Sequence, residues 1–141
     1  MTISDLNKKL KKIKIDENKY YLNGLFGSKD NTDKIALSIK KGKYGIEYET
    51  YFIEKGEKHS IKKFDSEKDA CQFIYRKIIY QKILSKINQN SDFFGTTVNE
   101  RLYLSGLIEE FDNIKKQDKK LAKDILRWLK VDELSIERIV N

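Results

Sequence analysis

The chain of 141 residues has one histidine, one cysteine and no proline. A single histidine excludes a histidine-rich metal site, and His59 with Cys71 supplies too few ligands for zinc. Cys71 has no partner for an internal disulfide, which agrees with a reducing compartment. No run of about 18 apolar residues exists to span a bilayer. The N-terminus, MTISDLNKKLKKIKI, has lysines after its first leucines and lacks the apolar core of a secretory signal. A cytoplasmic location is expected. Arginine is also scarce: only Arg76, Arg101, Arg127 and Arg138 stand among 29 basic residues.

What is present is a lysine-rich, soluble composition, 36% charged and 39% hydrophobic, with a net charge of +7. The excess is N-terminal, net +6 over residues 1–64, and residues 96–141 are balanced. Phosphate and base recognition favour arginine's planar fork, so lysine alone is weak support for nucleic-acid binding. Lysine, isoleucine and asparagine are also what an A+T-rich coding sequence supplies. A basic balance still favours an acidic partner surface over a basic one.

The length fits one domain. Ser4 is a candidate cap for a first helix to about Lys14, with Ile3, Leu6, Leu10 and Ile13 on one face and Lys8, Lys9, Lys11 and Lys12 on the other. Such a helix either docks on its own domain or targets a partner groove or an anionic membrane. Residues 16–34 are rich in turn formers but carry Tyr20, Tyr21, Leu22, Leu25 and Phe26, which predicts an ordered loop with a short strand at Tyr20–Asn23. Its glycine spacing matches no phosphate-binding loop. From Lys34 to Phe64 the period becomes two, and turns near Gly42 and Gly56 give a three-stranded antiparallel meander. On its second strand Ile46, Tyr48, Thr50 and Phe52 face one side and Glu47, Glu49 and Tyr51 the other, exposed one.

Ser66 and Asp69 are spaced as a capping box opening a long helix to about Ile87, apolar around most of its circumference. It should be contacted from two sides. The stretch Asn88–Thr96 is the expected boundary between a β-rich half, about 1–90, and a helical half, about 96–141. Thr97 and Glu100 form a second capping box, from which one helix would place Leu104, Leu107, Ile108, Phe111 and Ile114 on its buried face. Gly106 inside that helix costs roughly 1 kcal/mol relative to alanine, to be offset by close backbone approach or a ligand contact. Asp118 and Asp132 are candidate caps for two further helices. The fold class is α+β: an N-terminal helix, the meander, a long central helix and a C-terminal bundle of about three helices.

No catalytic constellation stands out. His59 beside Ser60 does not have the geometry of a nucleophile and its base, and Cys71 in an amphipathic helix reads as a small core residue. Glu109, Glu110 and Asp112 cluster as a solvated face, a weak cation site or a contact for basic residues on a partner. No cofactor or metal is expected.

The segment TVNERLYLSGLIEEFD, residues 97–112, carries the tightest pattern: Asn99-Glu100-Arg101, then Ser105-Gly106-Leu107, then Glu110-Phe111-Asp112. It resembles the immunity proteins of bacterial polymorphic-toxin and contact-dependent growth inhibition systems. FDSEKDACQFIYRKI, residues 64–78, is similar to the segment opening the central helix in the same kind of protein, and YLNGLFG, residues 21–27, is similar more loosely. Many nuclease-blocking immunity proteins are acidic, whereas this chain is basic. The resemblance implies a non-enzymatic protein that binds a cognate toxin domain and occludes it. Interface hot spots are exposed aromatic and charged side chains, which makes Glu47, Glu49, Tyr51, Glu109 and Asp112 the candidate contacts. The alternative is a small nucleic-acid-binding module using the N-terminal lysines.

Overall fold

The computed structural model describes residues 1–88 and 95–141. The chain divides into two compact units, Met1–Lys77 and Ile78–Asn141. The division falls inside the central helix, earlier than the expected boundary at Asn88–Thr96, most of which lies outside the described residues.

In the first unit, α1 (Ile3–Lys12) is capped by Thr2, not Ser4: the Thr2 hydroxyl accepts from the Asp5 amide at 3.1 Å and the Asp5 carboxylate accepts from the Thr2 amide at 3.0 Å. This reciprocal pair satisfies two amides that the helix cannot. Ile3, Leu6 and Leu10 are buried, so α1 docks on its own unit. Its first turn is tied down where the Ile3 amide donates to Glu67 Oε1 at 2.8 Å.

The meander forms as β3 (Ile35–Gly42), β4 (Gly45–Glu54) and β5 (Glu57–Phe64). Lys55 and Gly56 between β4 and β5 both have positive φ, the two-residue turn whose twist suits a hairpin. The sheet is larger than expected, however. β1 (Tyr20–Leu22) runs parallel to β3, β2 (Phe26–Gly27) pairs antiparallel with β1, and the mixed five-stranded order is β2-β1-β3-β4-β5. Strands of two and three residues are too short to show a period of two. Gly27 is required there, because at φ +79° a side chain would run into the Tyr20 carbonyl.

The central helix α2 (Glu67–Asn88) starts where Ser66 Oγ accepts from the Asp69 amide at 3.0 Å. Its first half buries Ala70, Cys71 and Ile74 in the first unit, with Phe73 5.4 Å from Phe64. Its second half contributes Ile83 and Ile87 to the core of the second unit.

That second core is helical. It joins Leu102 from α3 (Val98–Leu104), Phe111 from α4 (Ile108–Gln117), Leu121, Ile125 and Leu126 from α5 (Lys119–Trp128), and Ile136 and Val140 from α6 (Glu133–Val140). Asp118 and Asp132 cap α5 and α6 as expected, accepting from the Leu121 and Ser135 amides. Segment 97–117 is two helices, not one. Ser105 ends α3, Gly106 takes φ +69°, and the Leu107 amide returns to the Leu102 carbonyl at 2.8 Å. This is a glycine C-terminal cap in which the left-handed residue satisfies carbonyls at the helix end. Nothing lies within 4 Å of a Cβ built on Gly106; backbone conformation, not close approach, accounts for the glycine. The break also changes the buried face: Leu102 is buried, while Leu104 and Ile108 are 46% and 41% exposed.

Candidate functional site

Glu47, Glu49 and Tyr51 do share one face of β4, but that face is not open at all three. Glu49 and Tyr51 are only 4% and 3% exposed, which corrects their reading as exposed contacts. The Glu49 carboxylate accepts from Lys58 Nζ at 2.7 Å and from Lys40 Nζ at 3.1 Å. Burial pushes the carboxyl's pKa up, but the hydrogen bonds and charges of the two lysines outweigh it and hold it below its ordinary value. Tyr51 bonds Ser38 Oγ at 2.7 Å and accepts from Asn31 Nδ2 at 3.0 Å, with Lys58 4.5 Å from its ring centroid. Asn31 comes from the loop before β3, which covers the face that alternation alone leaves in solvent. Glu47 stays partly exposed, 3.9 Å from Lys63. The cluster is a satisfied polar network, and it holds β3, β4 and β5 together through their side chains.

The other two candidates lie on α4. Glu109 and Asp112 are exposed, whereas Glu110 accepts from Lys86 Nζ at 2.7 Å. Asp112 lines a cleft of about 440 Å³ together with Thr97, Val98, Asn99, Leu102, Ile108, Phe111, Lys115 and Ile139. α3 and α4, joined through the Ser105-Gly106 turn, supply most of its lining. Its floor is apolar, through Leu102 and Phe111, and its rim carries one hydroxyl, one amide, one carboxylate and one ammonium. That lining can seat an apolar side chain and offer its neighbours polar contacts at the edge.

His59 is exposed on β5 and Cys71 is buried in the first unit. Burial, with the Glu67 carboxylate nearby, pushes the Cys71 thiol up to about 11, the state of an unreactive core thiol. Among the described residues no group of three or more His, Cys, Asp or Glu side chains gathers as metal ligands, and no helix is long and apolar enough to cross a membrane.

Sequence reasoning missed two features. Arg101, a member of the 97–112 pattern, acts on the end of α5. A lysine-edged apolar strip on the other face of the sheet, around Ile46 and Phe64, needed the strand register to become visible. Comparison with protein families, with curated proteins and with solved structures returned no match.

Proposed function

We propose that the chain is a cytoplasmic immunity protein that binds a cognate bacterial toxin domain and neutralises it by covering its active or functional surface. The observation that carries this reading is that the segment with the family resemblance, residues 97–112, frames the described cleft, with Thr97, Asn99 and Asp112 on its lining. The reading is one of binding and not of catalysis. An apolar anchor from the toxin enters between α3 and α4, and exposed Glu109 and Asp112 meet basic groups beside it. Buried anchors ringed by polar contacts are the usual source of binding energy at such interfaces. Glu49 and Tyr51 act indirectly, by fixing the sheet, and Glu47 remains an accessible contact.

The test is protection. Cells expressing the toxin domain encoded by the neighbouring gene survive when this chain is coexpressed, and lose that protection with Glu109→Lys and Asp112→Lys combined. Equal killing with and without the wild-type chain would falsify the proposal.

A second reading, nucleic-acid binding, is favoured by the solvent exposure of Lys8, Lys9 and Lys12 along α1. It requires duplex or single-strand binding at low salt whose affinity falls steeply as salt rises. Absence of binding in a mobility-shift titration at low salt removes it.

A further inference from the structure

The two faces of the sheet differ in how their lysines are compensated. On the face of Glu47 and Glu49, each nearby lysine has a carboxylate: Lys40 and Lys58 meet Glu49, and Lys63 meets Glu47. On the other face the register aligns Lys41 with Ile46, Tyr48 with Phe64, and Thr50 with Lys62. This stretch contains no acid. Phe73 of α2 packs against Phe64 there, and the ammoniums of Lys62 and Lys77 lie 4.8 and 5.6 Å from its ring centroid.

The result is an apolar strip edged by three cations. Ile46 is 59% exposed and Tyr48, Phe64 and Phe73 are half-buried. Lys41, Lys62 and Lys77 are all exposed, and among the described residues no carboxylate lies within ion-pair distance of any of them. Asp65 and Asp69, near the start of α2, form no ion pair with any of the three. A folded surface normally disperses charges of both signs. Three uncompensated lysines along a strip that runs from Phe73 and Phe64 through Tyr48 to an exposed isoleucine therefore describe a face whose complement is missing.

We propose that this face docks an acidic protein surface, one that sets carboxylates against Lys41, Lys62 and Lys77 and an apolar side chain on Ile46. This rests on the reading of the chain as a toxin-binding protein and names a second contact, opposite in sign to that of Glu109 and Asp112. Charge complementarity selects the occupant class. A single-stranded nucleic acid fits less well. Stacking platforms need free ring faces, yet Phe73 is already approached by two ammoniums and Phe64 is tilted 42° to it. Every cation here is also lysine, not the arginine that phosphate forks favour.

The experiment titrates the neighbouring-gene toxin domain into the full chain by calorimetry at two salt concentrations. K41E/K62E/K77E is expected to weaken binding by about 100-fold or more, and K41Q/K62Q/K77Q by about tenfold, with a shallower salt dependence in both. Reversing Lys8, Lys12 and Lys29, which are exposed elsewhere on the same unit, changes net charge equally and should leave affinity within about threefold. Circular dichroism melts of each variant establish that it is folded. If both sets of reversals weaken binding alike, or neither does, the docking face is refuted while the toxin-binding reading stands. If the wild-type chain does not bind the domain at all, both fall. If a single-stranded oligonucleotide of about 15 nucleotides binds the wild-type chain and is lost with K41Q/K62Q/K77Q, the face belongs to nucleic acid and the proposal is overturned.

Discussion

Arg101 closes the end of α5 at Leu129: its Nη1 donates to the Leu129 carbonyl at 2.9 Å and to the Lys130 carbonyl at 3.0 Å. Its Nε donates to Thr96 Oγ1 at 3.0 Å. The last carbonyls of a helix lack partners within it and carry the negative end of its dipole, so a guanidinium there both bonds and neutralises. Arg101→Ala is expected to destabilise the helical unit by about 1–3 kcal/mol. Arg101→Lys recovers less than half, since one ammonium cannot hold Thr96 and both carbonyls in a fixed fork. Urea midpoints decide the matter, and an unchanged midpoint in the alanine variant would refute the role. Any loss of toxin protection in that variant should then follow its stability.

Among the described residues three helices end on a left-handed residue, and one of the three uses glycine. Lys14, Gly106 and Lys130 have φ of 62°, 69° and 66°, and the following amides, of Ile15, Leu107 and Val131, return to Leu10, Leu102 and Leu126. A side chain in this conformation costs roughly 1–2 kcal/mol, which lysine bears and glycine does not. Lys14→Gly and Lys130→Gly are each expected to stabilise by about 0.5–1 kcal/mol, and Gly106→Ala to destabilise by about 1 kcal/mol. The Lys14 effect should add to either of the others, because its site lies in the other unit and shares none of their partners. Thermal melts of the single and combined variants measure this, and a destabilised Lys130→Gly would contradict it.

The caps and the meander were legible because their signals are local: Thr97 with Glu100, Asp118, Asp132, and the alternation from Ile35 to Phe64. Gly106 carried a signal that the helical period obscured. A glycine after a run of helix formers marks an end, and once α3 stops there the phase of α4 is free, so Leu102 rather than Leu104 is buried. Glu49 and Tyr51 share the expected face of β4, yet Tyr51 bonds Asn31, twenty residues away, and the Glu49 carboxylate is held by Lys40 and Lys58 from the two neighbouring strands. The three unpaired lysines come from β3, β5 and α2, and only the pairing of Lys41 with Ile46 and of Tyr48 with Phe64 brings them round one strip.

Glu49 makes acid stability a local matter. Its folded-state pKa is lowered, so the folded chain resists protonating it more than the unfolded chain does. The stabilisation is present above the unfolded value and is lost as pH falls through the folded one. Glu49→Gln is expected to cost about 1–2 kcal/mol at neutral pH, less than a fully buried pair because Lys40 and Lys58 remain 44% and 36% exposed to water. Asp5, Asp30, Asp132 and Glu133 are also lowered, mostly through caps and local bonds, so wild type and variant both weaken in acid. The diagnostic quantity is their difference, measured by urea unfolding from pH 7 to pH 3. It should shrink towards the acid end, and a constant difference would rule out the linkage.

Ser105 presents the opposite case, a polar group with nothing to hold. It is 4% exposed at the end of α3, and its hydroxyl has no hydrogen-bond partner. A buried hydroxyl left unpaired forfeits its hydration without return. Ser105→Ala should therefore stabilise the chain, by about 0.5–1 kcal/mol, with a rise in melting temperature of a few degrees. Ser105→Thr keeps the hydroxyl and adds a methyl group to a packed site, and should destabilise it by about 1 kcal/mol or more. If Ser105→Ala instead weakens toxin binding while raising stability, the hydroxyl is a contact made only in the complex. A loss of both stability and binding in Ser105→Ala would show that the hydroxyl is bonded within the folded chain.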